Sequence, residues 1–318
     1  MSGLSKKSAA QKIHISDPEV DSSFIQYNKK EWSLRVFGVT KFHNIVLKNS
    51  NKTTIKYRPN NPFSFGLGFT YRFLIIDLGI VLNKKAQFEN FDFQSNLLLK
   101  QNLIEFVFQK YQGFYQLIDK SDKLFRDDLK STFFTINHFY NVNDKKLSLG
   151  TALAGNKIQM KSTGTFILGS YLSYNKIAAD SSLVDFSNQP QFDRETRFKT
   201  LEMYNVGAYF GYAYSLVLPK NFIVFSNLTP GIGFNFAEAT GDETYKPPIF
   251  PAGKLNFRLA IGNYSKRIYT ILGFNTNLSF INLGNGNSLR HNAGQIKLVI
   301  GYRMKKSNKI IETIDKTF

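Results

Sequence analysis

The amino-acid sequence predicts an all-β fold, and within that class a transmembrane antiparallel β-barrel of about twelve strands. The first observation is a repeated segment of about ten residues in which apolar side chains alternate with small or polar ones, as they do along a strand. The second is that clusters of Asn, Gly, Lys, Asp and Pro separate these segments, as turns do. The third is composition: the 318 residues include 31 Phe, 16 Tyr and 22 Gly. Aromatic residues favour strands, and glycine disfavours helices.

The alternating segments follow one another along most of the chain. The clearest spans residues 63–71, where Phe65, Leu67 and Phe69 share one face while Gly66 and Gly68 share the other. The same pattern gives the following set of predicted strands: residues 32–42, 55–72, 74–83, 97–112, 131–142, 147–158, 163–175, 200–217, 221–236, 254–263, 267–281 and 292–304.

Two kinds of protein show such an alternation, and the composition of the face opposite the apolar one distinguishes them. A soluble sandwich turns a polar face to water, whereas a membrane barrel turns its apolar face to lipid and the other face to its lumen. Here the second face is rich in Gly, Ser, Asn and Thr, which suit a crowded lumen. The apolar face carries aromatic residues at strand ends, typical of the girdles at membrane interfaces: Phe63, Tyr71, Tyr204, Tyr214 and Tyr302. We therefore expect the apolar face to contact lipid.

The links between predicted strands differ in length. Those near residues 72–74, 219–221 and 263–265 are short, and those at 84–96, 176–199 and 237–253 are long, which predicts short periplasmic turns and longer extracellular loops. The long polar link 116–130 falls on the short-turn side and indicates either a miscount or a periplasmic insert. The predicted domains are a flexible polar N-terminal arm (1–30), the barrel (31–303) and a short C-terminal periplasmic tail (304–318).

Composition excludes several classes. The sequence has no cysteine, which excludes a disulfide-stapled secreted domain, a Cys-based metal site and a thiol enzyme. No run approaches the roughly 20 apolar residues of a transmembrane helix. Residues 1–21 carry no apolar segment of a signal peptide, which is the main observation against an outer-membrane location.

Several patches resemble a family of Gram-negative outer-membrane proteins catalogued as domain of unknown function 4421. The first patch is Tyr57-Arg58-Pro59-Asn60-Asn61-Pro62, followed by residues 65–72, Phe-Gly-Leu-Gly-Phe-Thr-Tyr-Arg. Similar patches occur at 111–115, 161–165 and 211–214. The resemblance covers residues 31–303 and implies an outer-membrane β-barrel. It implies no activity and no catalytic residues.

Isolated charges lie on the polar face of the predicted strands, where a closed lumen requires them to be paired. One hypothesis is an ion-pair network that fills the lumen, and a sharper one is a cation-lined path for small anionic solutes. The candidates for this lumen network are Arg72, Asp77, Glu105, Arg258, Lys297 and Arg303.

Motifs for chemistry are scarce. The four histidines do not have the spacing of a zinc site, and no G-x-S-x-G, dinucleotide-binding or Walker A motif occurs. His138 lies in a predicted strand beside Asn137. It would act as a base only if a nucleophile lay within hydrogen-bond reach, so the prediction is a structural role, with no catalytic, cofactor-binding or metal residues.

The functional hypothesis from sequence is an outer-membrane barrel serving as a structural or accessory subunit of an envelope complex. The alternatives are a narrow pore for small anionic solutes, a barrel-wall lipid-modifying enzyme, and a soluble β-rich binder. The expected partners are outer-membrane lipid and lipopolysaccharide, together with other outer-membrane or periplasmic proteins. The net charge of +18 is dispersed, which argues against nucleic acid. The cations expected to meet anionic headgroups are Lys84, Lys85, Lys176, Arg194, Arg197 and Lys199.

Overall fold

Antiparallel strands form almost the whole of the computed structural model, which describes residues 20–27, 32–59, 63–71, 74–81, 90–118, 122–150, 157–185, 188–265 and 267–304. No helix in these ranges is long and apolar enough to cross a membrane. Most of the predicted N-terminal arm and, beyond Met304, the predicted tail lie outside the described residues. Residues 20–27 of that arm include a short strand.

The described chain contains sixteen strands. They are β1 (Ile25–Tyr27), β2 (Trp32–Lys48), β3 (Thr54–Pro59), β4 (Ser64–Tyr71), β5 (Leu74–Val81), β6 (Phe91–Leu99), β7 (Asn102–Ile118), β8 (Asp122–Asn141), β9 (Lys157–Gln159), β10 (Thr163–Ala178), β11 (Thr200–Leu218), β12 (Phe222–Thr240), β13 (Thr244–Tyr245), β14 (Ala252–Tyr264), β15 (Ile268–Gly284) and β16 (Asn287–Met304). Three single-turn 3-10 helices span Gln189–Gln191, Arg194–Thr196 and Pro219–Asn221.

Twelve of these strands close into a ring, which confirms the predicted barrel. The order around the ring is β2, β4, β5, β6, β7, β8, β10, β11, β12, β14, β15 and β16, and β16 pairs again with β2. All neighbours are antiparallel. The first and last strands of the ring pair from Trp32 opposite Met304 to Lys48 opposite Ser288. A closed ring leaves no free sheet edge, so every strand has two neighbours.

The two ends of the barrel differ. We call the end that carries the links 100–101, 142–162, 219–221 and 265–267 the turn end, and the end that carries 49–53, 179–199, 241–251 and 285–286 the loop end. At the loop end, β3 bridges β2 and β7 directly. At the turn end, β4, β5 and β6 fill the same gap, and β5 pairs with β6 over only four residue pairs.

The predicted number of strands is right, but two errors cancel. The segment 97–112, predicted as one strand, is the β6–β7 hairpin, whose turn is at 100–101. The segment 147–158, predicted as a wall strand, lies in the long link between β8 and β10. The link 116–130 is neither a loop nor a periplasmic insert, because β7 and β8 stay paired as far as Ile118 and Asp122 at the loop end. The segment 55–72 contains two strands, β3 and β4.

The apolar face of the wall points outward, as predicted. Phe65, Phe210 and Leu298 expose 51%, 59% and 49% of their surface, so they do not belong to a dry core between two sheets. A continuous belt of such residues on a closed antiparallel barrel is the surface that hydrocarbon covers. Towards the loop end the belt finishes with Tyr174 packed on Tyr204, whose ring centroids lie 5.0 Å apart. The next pair along the same strands is the Lys176–Glu202 ion pair.

The interior is more apolar than the sequence indicated. Near each end of the barrel the inward positions hold large hydrophobic side chains instead of Gly, Ser and Asn, and these side chains pack across the lumen. At the turn end they include Phe37, Val39, Leu103, Phe139 and Val299. At the loop end they include Ile45, Leu47, Leu183, Phe198 and Leu289. Buried polar residues such as Glu105 and Asn137 lie between these clusters, whereas Arg303 is buried at the turn end itself.

The long link between β8 and β10 closes the turn end from inside. Leu147, Leu149 and Ile158 belong to the apolar cluster of that end, and β9 pairs with β1 in a separate two-stranded sheet. The amide of Gln159 donates to the carbonyl oxygen of Lys146 at 2.6 Å. We call the described part of this link, residues 142–150 and 157–162, the plug. Because β1 precedes the first wall strand and pairs with β9, it helps to hold the plug in place.

Candidate functional site

A buried polar cluster around Glu105 crosses the middle of the lumen. Arg258 on β14 donates to Glu105 on β7 at 2.5 Å, and the amide of Asn137 on β8 donates to the other carboxylate oxygen at 2.9 Å. Lys254 donates to Thr135 at 3.0 Å and lies 4.4 Å from the centre of the Tyr171 ring. Side chains from facing walls therefore meet here: Arg258 pairs with Glu105, and Lys254 reaches the same cluster through Asn137, whose Oδ1 lies 3.4 Å from its Nζ.

A second cluster contains Asp77, which accepts from two cations. Arg35 Nη2 lies 2.7 Å from Asp77, and Lys297 Nζ contacts the other oxygen of the same carboxylate. The strand β4 runs between β2 and β5, and there Gly68 is the register partner of both Arg35 and Asp77. A Cβ atom on Gly68 would collide with both side chains. The glycine therefore leaves the space in which this ion pair forms.

The remaining predicted network residues lie apart from these clusters. Arg303 is buried at the turn end, where its guanidinium lies 4.9 Å from the centre of the Tyr269 ring and contacts the carbonyl oxygen of Ser265. Arg72 lies outside the described residues. The five predicted charges that the structure describes thus do not form one network: Glu105 with Arg258 and Asp77 with Lys297 are separate groups.

A buried histidine pair was missed by the sequence analysis. His43 and His291 approach to 3.0 Å between their Nε2 atoms. His43 also bonds to Gln109 and Ser131, at 3.2 Å and 2.7 Å. The two histidines are 248 positions apart, so only the pairing of β16 with β2 brings them together. Among the described residues, no group of three or more His, Asp or Glu side chains is placed to hold a metal ion.

Other participants in the lumen were not among the candidates named from sequence. Arg35, Lys254 and Asn137 are all buried, and the sequence does not indicate which residues they contact. The inward position of Arg35 follows from strand alternation, since Leu34 and Val36 on either side of it are exposed. The chemical result is a set of buried charges in which Glu105 and Asp77 are each bonded to cations.

His138 does not join the lumen clusters. Its neighbours Asn137 and Phe139 are buried inside, so His138 points to the outside of the wall. Its Nε2 lies 2.7 Å from Oδ1 of Asn102, at the start of β7. The partner of this histidine is therefore Asn102 and not the adjacent Asn137.

At the loop end, Arg126 on β8 holds the long link 179–199. Its guanidinium donates to the carbonyl oxygens of Ser182 and Leu183 at 3.1 and 3.2 Å, and to both oxygens of Asp128 at 2.8 Å. The hydrogen bond from Arg126 lowers the pKa of Asp128 below its ordinary 3.8. The stabilisation by this pair is therefore complete at neutral pH and is lost only as the pH falls through that lowered pKa.

We expect the substitution Arg126→Gln to loosen this link. Loss of about 1.4 kcal/mol of local stability raises the open population about tenfold, so trypsin should cleave after Arg194 or Arg197 about tenfold faster. Limited proteolysis followed by mass spectrometry measures the rate. Lys130→Gln, an exposed position on the same strand, is the matched control and should leave the rate unchanged. Equal rates for both variants would show that Arg126 does not hold the link.

Solved structures similar to this chain are outer-membrane proteins, at very low sequence identity. The outer-membrane protease OmpT of Escherichia coli is 9% identical, with a TM-score of 0.41 over 88% of this chain and 98% of that one. In-vitro folded OmpT, an outer membrane protein of Vibrio cholerae, is 6% identical, with a TM-score of 0.30 over 86% and 97% of the two chains. OpdQ of Pseudomonas aeruginosa is 10% identical, with a TM-score of 0.20 over 88% and 100%.

Family membership rests on the sequence itself. No protein with a curated description matches the chain significantly. The model of the family DUF4421, described as a domain of unknown function, matches residues 19–304. This range includes the whole strand ring from β2 to β16, so the chain, an outer-membrane-type β-barrel, belongs to the DUF4421 family of domains of unknown function.

Proposed function

We propose that this chain is a non-conducting barrel in the outer membrane of a Gram-negative bacterium, where it serves as a structural or accessory subunit of an envelope complex. The observation that carries the proposal is the filled interior. Apolar side chains pack across the lumen near both ends, and Leu147, Leu149 and Ile158 of the link between β8 and β10 pack into the turn-end cluster. A barrel with a filled interior does not conduct solutes, so its function depends on its outer surfaces. Such surfaces bind other molecules of the envelope.

The cations inside the barrel support sealing better than they support an anion path. A selective pore needs charges that a passing ion can contact. Here Glu105 is bonded to Arg258, and Asp77 lies between Arg35 and Lys297. Because these cations are held in hydrogen-bonded ion pairs, we infer that they stabilise the interior, although the single charge of Asp77 faces two cations.

The surfaces available for partners have different chemistry. The apolar belt fits the acyl chains of membrane lipid. At the loop end, Lys176, Arg194 and Lys199 are each paired with an acidic residue, at Glu202, Glu243 and Asp242, which weakens the expected contact with lipopolysaccharide. The turn end presents exposed cations close to the plug: Lys145, Lys146, Lys161 and Lys220. This rim fits an envelope protein with an acidic surface.

Planar-bilayer recordings test the sealed interior. We expect the purified chain to insert without producing conductance steps. Anion-selective steps that Lys297→Gln weakens would contradict the proposal and favour a pore for small anionic solutes.

Purification from native membranes tests the association. We expect a stable companion protein to co-purify with the wild-type chain and to be lost from the double variant Lys146→Glu/Lys161→Glu. Lys130→Glu, at the opposite end, should retain it. Purification of the wild-type chain without any stable companion would overturn the accessory role while leaving the sealed interior untouched.

A further inference from the structure

The outward position of His138 is unusual for this wall. The other two histidines of the described chain, His43 and His291, are buried in the lumen. His138 lies instead on the lipid-facing side, between Ile136 and Tyr140 along its own strand. Ionisable side chains at membrane depth are costly, and they mark functional positions more often than they support a fold. The neighbours of His138 on that side therefore matter.

The strand register places a serine directly beside this histidine. Ser170 on β10 is the register partner of His138 on β8, and the Cβ atoms of directly opposed residues lie about 4.5–5.5 Å apart. Ser170 is exposed between Leu168 and Leu172, which also face outward. A hydroxyl group thus stands next to an imidazole on a surface that is otherwise apolar.

Asn102 orients the imidazole from the other side. Its Oδ1 lies 2.7 Å from Nε2 of His138, and an amide oxygen can only accept, so Nε2 carries the proton. That tautomer leaves the lone pair on Nδ1, the nitrogen that remains for a nucleophile. A histidine fixed by a third group and set beside a hydroxyl is the arrangement by which serine enzymes are recognised.

We propose that Ser170, His138 and Asn102 form a lipid-facing serine hydrolase site whose substrates are membrane lipids with ester-linked acyl chains. The structure shows no hydrogen bond between Ser170 and the ring, so catalysis requires Oγ of Ser170 to move to Nδ1 while Asn102 keeps its bond to Nε2. Catalytic hydrogen bonds commonly tighten in this way when substrate binds. Asn102 follows the turn at 100–101, which gives this part of the wall a polar edge through which water can enter.

The proposed reaction is acyl transfer in two balanced steps. Nδ1 of His138 takes the proton of Ser170, and Oγ attacks the ester carbonyl. The bond between the carbonyl carbon and the alcohol oxygen of the lipid then breaks, and the imidazolium gives its proton to the departing alcohol. In the second step water attacks the acyl–Ser170 ester and loses a proton to His138. Ser170 regains a proton and the fatty acid leaves. The only co-reactant is water.

The first test is fatty-acid release by the full-length chain in vesicles of phosphatidylethanolamine and, separately, with lipopolysaccharide. We expect release from one of the two substrates, which identifies the source of the ester. Ser170→Ala and His138→Ala should each lose about 1,000-fold or more of the rate. Ser226→Ala removes an outward serine that faces no histidine and should keep the wild-type rate. Heat-modifiable gel migration shows that each variant is folded.

The second test distinguishes positioning from structural support. We expect Asn102→Ala to lower kcat by about tenfold or more with an unchanged KM, because it acts only through the imidazole. A fluorophosphonate probe should label the wild-type chain at Ser170 and should fail to label Ser170→Ala. Absence of both labelling and release in the folded wild-type chain would overturn the proposal, and so would an unchanged rate in Ser170→Ala. Neither result depends on whether the lumen conducts.

Discussion

Replacing Glu105 by leucine is expected to destabilise the barrel by about 3–5 kcal/mol, because it leaves the buried Arg258 without its counter-charge. Glu105 is 3% exposed and accepts from Arg258 at 2.5 Å and from Asn137 at 2.9 Å. Leucine has a similar volume, so the packing is kept and the loss is electrostatic. Reversible unfolding of the chain in phospholipid vesicles, followed by denaturant titration, measures the change.

The double variant Glu105→Leu/Arg258→Leu provides the matched comparison. Removing both members of a buried ion pair is often nearly neutral, so we expect it to recover much of the lost stability. Full recovery is not expected, since Asn137, which contacts Lys254, also loses its hydrogen bond to Glu105. Asp242→Asn, at a fully exposed loop position, should have no measurable effect. Equal stability of Glu105→Leu and the wild type would show that the lumen charges are hydrated rather than paired.

The wall was predictable from sequence because strand alternation is local. The two neighbours of a strand residue indicate which way it points: Leu34 and Val36 are exposed, and Arg35 between them points inward. Strand limits were less predictable. The turn at 100–101 interrupts the alternation for only two residues, so the β6–β7 hairpin looked like one strand. The segment 147–158 has apolar residues with a strand-like period, yet Leu147, Leu149 and Ile158 pack into the cluster at the turn end of the lumen.

The interior contacts were not predictable because they join distant parts of the chain. Arg258 and Glu105 are 153 positions apart, and Lys297 and Asp77 are 220 apart. Strand alternation indicates that such residues face the lumen, but it does not indicate the height at which they meet. That height depends on the register of every intervening strand. The pairing of His138 with Ser170 and Asn102 depends on the same registers.

An arginine on the outer face is expected to cost about 2–4 kcal/mol when it lies near the middle of the membrane. Phe210 on β11 is the position to test. It is 59% exposed and lies six residues after Tyr204 and four before Tyr214 along an outward row that is apolar throughout. We expect Phe210→Arg to lower the free energy of unfolding in lipid vesicles by that amount.

Phe222 is the matched control for this substitution. It is also an outward phenylalanine, exposed by 44%, but it is the first residue of β12, beside the turn 219–221. The cost of a lipid-facing charge falls to about 0–1 kcal/mol near the interface, so Phe222→Arg should be tolerated. A surface bathed by water would accept arginine equally at both positions. A large cost at Phe210 together with a small one at Phe222 therefore requires hydrocarbon around the middle of the wall, and two equal costs would exclude it.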